Sequence, residues 1–577
     1  MQFSSLSSSA ADNGRFGRLI NRIESRRPSD RVILRILFFA AIATMIYGLL
    51  QINASYLTPT AVSGGTLTEG IVGIPRFVNP VLAVTRADQD MSSLIYAGLM
   101  KIDAAGTLVT DVAESITVSD DGRTYNIVIR KDARFHDDSP LTAKDVAFTI
   151  GLLQNPDLKS PLRGNWAGVT VEEISEYELN VVLDEAYTPF IENFTTGIMP
   201  RHIWSELPIE QVPFSQRNTE PIGSGPFEVV KTNRNEAGLI ESYELARYRD
   251  DVKLDAIVVK FYQNEEALIA AWDKDELTST ANLPLANAKA ADETEEYRVV
   301  SVPLPRVFAI FLNQNKSLAL RDTGVRAALE AAIDRQKIVD EALLGYGVPT
   351  TSPMPPRVNS VKSEQVEADQ ASTTVALVSE LLTKAGWQKN PNNNWEKRID
   401  GNAVVLSVTL RTANTPLFER TTDLIAEAWR NNGILVEVEQ YEQSDLLQAV
   451  IRPRDFEALL FGVDMNRTVD LYPFWHSSQR EDPGLNIAQY ANIEVDALVK
   501  TARTSRNEDE QAKAIEKAVA TIGAEKPAIF LYVPELTYVI REGVTMSPLT
   551  AISKPHERFM NIDDWHLAEE QRWPLFR

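Results

Sequence analysis

The 577-residue sequence contains no cysteine. That excludes disulfides, thiolate metal sites, thiol nucleophiles and the N-terminal cysteine on which a bacterial lipid anchor is built. Histidine is nearly as scarce: His136, His202, His476, His556 and His566 lie scattered, with no His-x-x-x-His pair, so neither a metal nor a cofactor is expected. Basic residues are outnumbered, 58 lysines and arginines against 80 acids, for a formal charge of −22. Residues 1–31 carry +3, from six arginines against Asp12, Glu24 and Asp30, which leaves −25 on the rest. An acidic body of that size repels phosphate backbones and argues against nucleic acid as a partner. Gly-x-Ser-x-Gly elbows, metalloprotease helices and P-loops are missing too. Among enzymes this leaves a surface hydrolase of the carboxylate-pair glycosidase type, whose two acids can be far apart in sequence.

What is present reads as a tethered, multi-domain globular chain. Residues 1–14 are serine-rich and aperiodic, a disordered tail, and residues 15–31 are basic. Residues 32–50 are apolar for 19 positions apart from Arg35 and Thr44, long enough for a helix to cross a bilayer core of about 30 Å. Arg35 lies one turn inside, where a long side chain snorkels to headgroups. The basic flank predicts an inside N-terminus and an outside body. A cleaved signal peptide is the competing reading, but no convincing small-x-small site follows Leu50. Residues 51–63 read as a linker, and the body starts at Gly64.

In the body, Tyr125, Ile127 and Ile129 alternate with Thr124, Asn126 and Arg130 after the turn Asp120-Asp121-Gly122, which predicts a hairpin with one buried face. Thr142 and Asp145 form a capping box that starts a helix. Residues 180–183 and 256–261 read as further strands. Toward the C-terminus, strands over 403–411, 434–440 and 456–461 alternate with helices over 416–432 and 444–451. That βαβαβ order implies a parallel sheet with right-handed crossovers. Pro416 suits the first helical position and Gly433 the left-handed cap. Open sheets of this kind bind ligands beyond the carboxyl ends of their strands, which points to the loops after Arg411 and Phe461.

Segments along the chain resemble one family in its own order. DDGRTYNIVIRKDARFHDDSPLTAKDVAFTI at 120–150 is the strongest, followed by MPRHIW from Met199, PIGSGPFEVV from Pro221, AALEAAIDRQKIV from Ala327, LLTKAGW from Leu381, FWHSSQ from Phe474 and NIAQYANIEVDALVKTAR from Asn486. Together they resemble the family-5 extracellular solute-binding proteins, the peptide, dipeptide and nickel binders of ABC importers. The resemblance covers roughly Gly64 to Arg577. It departs at Asp138, where the family has a turn glycine, and in the missing lipid-bearing cysteine.

The resemblance implies an α/β, two-lobed fold like periplasmic binding proteins of type II, the large peptide-binding class, here with an N-terminal transmembrane helix. The expected division is a cytoplasmic tail (1–31), anchor (32–50), linker (51–63), first lobe (64–300, with an extra subdomain around 96–205), second lobe (301–533) and a C-terminal return to the first lobe (534–577). It implies a monomer on the outer face of the cytoplasmic membrane that closes on a short peptide and delivers it to permease subunits. Another solute, such as a sugar, a metal chelate or a sensed signalling peptide, stays open. In oligopeptide binders an acid in the loop after the strand ending at Phe461-Gly462 receives the peptide amine. That position falls near Asn466, so the role is carried to Asp464 first and Asp470 second. Aromatic and amide candidates are Phe77, Asn79, Asn313, Phe461 and Trp475. The turn Phe135 to Asp138 and the glycines Gly223 and Gly225 read first as fold determinants.

Overall fold

The computed structural model describes residues 27–56, 58–62, 64–356, 375–399, 401–465, 467–505 and 507–572. Residues 1–26 of the expected tail lie outside them. Two units are present. In the first, helix Pro28–Tyr56 runs for 29 residues, about 43 Å at 1.5 Å per residue, with Ile36, Phe38, Phe39, Met45 and Leu49 exposed. The helix thus continues past Leu50, because residues 51–56 hold no proline or glycine to stop it. Most of the expected linker is ordered as well, since strand Thr58–Val62 pairs antiparallel with Ala568–Arg572. The segment expected to span a membrane lies inside this helix, but among the described residues no helix is long and apolar enough to cross one. The side chain of Arg35 is outside the described set.

The second unit, Ser63–Leu567, contains two lobes that share one strand. Ala528–Arg541 is 14 residues long. Its first half pairs with Arg306–Leu312 and Gly347–Pro349, and its second half with Tyr297–Pro303 and Ser279–Thr280. The neighbouring passage between lobes is Pro303 to Arg306, held to the long strand where Leu304 N donates to Pro534 O at 3.0 Å. Two adjacent crossings of this kind allow lobes to rotate about a hinge.

The first lobe orders its strands Phe227–Arg234, Ile240–Arg247, Ala256–Tyr262, Thr66–Val72 and Ser279–Thr280 before the shared strand. Its subdomain is a four-stranded antiparallel sheet over a core of Tyr125, Ile127, Ile129, Val181, Phe190 and Phe194. Thr124–Ile129 alternates half-buried and buried as its sequence predicts. Helix Ala143–Gln154 starts at the capping box, with Thr142 N donating to Asp145 Oδ2 at 2.9 Å.

In the second lobe Ser407–Ala413 sits between Leu435–Tyr441 and Ala458–Asp464, parallel to both, as the βαβαβ reading expects. The predicted strand 403–411 is in fact two. Leu406 turns into the core, so Asn402–Val405 joins a small sheet with Trp395–Ile399 while Ser407–Ala413 enters the parallel one. The expected helix 444–451 is a short α-turn continuing into the π-helical Leu446–Ile451. The last predicted strand extends to Asp464, because Arg306–Leu312 pairs along its whole length. Successive residues of Arg306–Leu312 serve opposite faces: Phe308, Ile310 and Leu312 pack in one core, Val307, Ala309 and Phe311 in the other.

The Phe135 to Asp138 turn is a fold determinant. Phe135 is fully buried, and Asp138 takes a left-handed φ of 64°, a conformation glycine adopts most readily. His136 Nδ1 accepts from Gly223 N and its Nε2 donates to Gly225 O, both at 3.3 Å, which selects the neutral Nε2–H tautomer. Burial accordingly pushes the His136 pKa down to about 4.

Candidate functional site

The residues singled out from the sequence do not gather in one cavity. Asp464 closes its strand directly opposite Arg306, whose Nη2 donates to Asp464 Oδ2 at 3.0 Å. With Asp464 69% exposed, such a pair is worth at most about 1 kcal/mol. Asp470 is buried: its Oδ1 accepts from Tyr472 N at 3.0 Å, and Arg503 Nε lies 3.6 Å from Oδ2. Burial raises its pKa. Asn466 lies outside the described residues. Trp475, an aromatic candidate from the sequence, is 1% exposed and packs in the second-lobe core against Phe530 and Tyr490, with ring centroids at 5.9 and 6.0 Å. Phe461 borders the same core, and Phe77 packs on the subdomain core. The amides are spent on the chain itself. Asn313 Nδ2 donates to Arg454 O at 3.0 Å, and Asn79 Nδ2 donates to Asn218 Oδ1 at 3.1 Å while its Oδ1 accepts from Val81 N at 3.0 Å.

Two adjoining cavities are lined by the first lobe, and the loop after strand Ala458–Asp464 borders the outer one. An outer chamber of about 110 Å³ is bounded by Leu162, Tyr187 and Glu192 of the subdomain, Lys554 and Glu557 of the C-terminal return, and Arg467 from the second lobe. It shares Ile102, Leu162, Thr195, Thr196, Lys554 and Glu557 with an inner chamber of about 210 Å³ in the first lobe. Small polar groups, Gln89, Ser92 and Ser93, line the inner one beside Tyr96 and Phe559.

One second-lobe loop closes the outer chamber. Arg467 Nη1 donates to Ala551 O at 2.9 Å and Gly106 O at 3.2 Å, and Nη2 to Glu557. Thr468 N donates to Glu192. Behind them Arg503 lies 4.7 Å from the Tyr187 ring centroid and 4.8 Å from that of Tyr472, next to Asp470. Burial, then the Asp470 charge, pushes Tyr187 up to about 12. Arg467 and Glu557 are both nearly buried, and burial raises the Glu557 pKa against the pull of Arg467. Elsewhere the chamber walls pair within one lobe: Lys101 with Asp563 at 2.7 Å and Arg249 with Asp111 at 2.8 Å. Among the described residues no group of His, Asp and Glu is arranged to hold a metal ion. Arg467, Glu192, Glu557 and Lys554 were not legible as site residues.

A hinged pair of lobes with a polar chamber between them, closed by one loop, defines a ligand-capture protein. Residues 107–482 match the model of the bacterial extracellular solute-binding proteins, family 5, middle region, and the chain belongs to that family. It is a solute-binding protein, not an enzyme. It is similar to the oligopeptide-binding protein AppA of Bacillus subtilis, 27% identical over 88% of this chain and 92% of that protein, and to a dipeptide-binding protein of Pseudomonas aeruginosa, 24% identical over 79% and 87%. The structure of AppA in complex with a nonapeptide aligns at 27% identity and TM-score 0.65, over 88% of this chain and all of that one. The substrate-binding protein CtaP of Listeria monocytogenes shares the fold at TM-score 0.72 and 22% identity, over 88% and 99%.

Proposed function

We propose that the protein captures short peptides between its lobes and delivers them to the permease of an ABC importer, working as a monomer. The observation that carries this is the charged chamber closed by a single second-lobe loop, in a chain similar along most of its length to AppA. A peptide offers alternating amide donors and acceptors plus two charged ends. Closure strips water from those groups, and the ligand drives closure by its better fit to the closed state. The loop 463–470 forms the second-lobe wall in this reading, with Asp470 acting through Arg503 and Tyr187. A tri- to pentapeptide mixture at about a hundredfold excess over Kd should stabilise the detergent-solubilised full chain by ~2.7 kcal/mol. Cleavage of the peptides by rigorously purified protein would favour a hydrolase instead.

We further propose that helix Pro28–Tyr56 holds the body on the outer face of the cytoplasmic membrane. Its support is the exposed apolar side chains of that helix and the arginines preceding it. Protease added to intact spheroplasts should digest the body, and full protection would refute this topology.

A further inference from the structure

If the protein binds peptides as proposed, the ligand's ammonium group needs a carboxylate in a chamber that excludes water. The chamber acids fall into two sets. Asp111 and Asp563 are held by Arg249 and Lys101 from their own lobe, and outside the chambers Asp464 and Asp470 are likewise held by Arg306 and Arg503 of the second lobe. Those pairs persist when the lobes part. Glu557 and Glu192 differ, because Arg467 and Thr468 reach them from the opposite lobe. Both lose that partner on opening, and of the two only Glu557 holds a cation.

We propose that Glu557 is the ammonium-binding carboxylate of this protein and that Arg467 occupies it as an internal surrogate when no ligand is bound. The chemistry matches group for group. Glu557 accepts a guanidinium N–H from Arg467 and a backbone N–H from Ser553, and an incoming ammonium replaces the first while the second keeps the carboxylate oriented. Arg467 meanwhile has Ala551 O and Gly106 O on which to remain, so the loop can still close over the ligand. In this role Arg467 excludes ligands that lack a positive end to displace it.

The test uses the detergent-solubilised full chain with two probes, a random tri- to pentapeptide pool and the same pool N-acetylated, with retained peptides quantified by mass spectrometry. Wild type should retain the free-amine pool and little of the acetylated one. Glu557→Gln should weaken the free-amine pool by roughly thirtyfold or more, the lower bound for losing a buried charge partner, and leave the residual acetylated binding unchanged. Arg467→Ala should tighten the free-amine pool several-fold, since the competitor is gone, and serves alone if Glu557→Gln fails to fold. If Arg467→Ala weakens both pools alike, Arg467 is a plain closing contact and the proposal falls. Equal retention of both pools by wild type also overturns it while leaving the peptide reading intact. Retention of neither removes both.

Discussion

Arg558→Met is expected to cost the body about 3–5 kcal/mol, a large share of the net stability of a folded domain. Arg558, Glu69 and Asp90 are all fully buried. Both guanidinium Nη atoms meet Asp90 at 2.7 Å, and Nη2 also meets Glu69 at 2.8 Å. The second Glu69 oxygen accepts from Ser279 Oγ and, at 2.9 Å, from Tyr538 Oη. These groups come from strand Thr66–Val72, helix Arg86–Ile95, strand Ser279–Thr280, the shared strand and the C-terminal return. The network therefore fastens the end of the chain to its beginning. Methionine matches the length of the arginine stem but leaves two carboxylates in a dry core, with Arg86 Nε 4.0 Å from Asp90 as the remaining cation. The triple variant Arg558→Met with Glu69→Gln and Asp90→Asn should recover much of the loss, because replacing a whole buried network costs far less than breaking it. Urea midpoints would decide: a loss below about 1 kcal/mol for the single variant would show that the charges are not held as described.

The network also shows what could and could not be read from the sequence. Elements specified by neighbours were legible: the alternation through Thr124–Ile129, the Thr142 and Asp145 capping box, and helix Pro416–Asn431 with its left-handed Gly433 at φ 79°. The family was legible because seven segments keep its order. The site was not. Arg467 and Glu557 lie 90 positions apart, and Thr468 and Glu192 are 276 apart. No periodicity spans such distances, and only the closed fold brings them together. Asp464 was chosen because it is an acid after a parallel strand. What decides its neighbour is the antiparallel register that sets Arg306 across from it, a pairing 158 residues long in sequence. Trp475 was chosen as an aromatic near the acidic loop, yet the packing of Phe311, Tyr490 and Phe530 around it decides its burial.

Gly223→Ala is expected to destabilise the first lobe by ~2–3 kcal/mol, beyond what an exposed turn would register. The sequence marks Gly223 and Gly225 as fold determinants, and what they supply in the structure is close approach. Neither Gly223 nor Gly225 has a left-handed φ, so backbone freedom is not what they supply. A Cβ on Gly223 would lie 2.0 Å from Ile95 O, and one on Gly225 2.6 Å from Ile95 C. Both obstacles are backbone at the end of helix Arg86–Ile95, which no rotamer change can move. Gly225 N also donates to Ile95 O at 2.8 Å, so a shift that relieves the clash breaks that bond. The same displacement pulls Gly223 N from His136 Nδ1 and Gly223 O from His136 N, 3.3 and 2.8 Å away. Helix and subdomain turn then lose their common support. Because helix Arg86–Ile95 lines the inner chamber through Gln89, Ser92 and Ser93, peptide affinity should fall together with the urea midpoint. Gly164→Ala, where an added Cβ meets nothing within 4 Å, should leave both unchanged. A Gly223→Ala protein with the wild-type midpoint would mean that this turn yields to the helix at little cost, and the close approach would then have no structural weight.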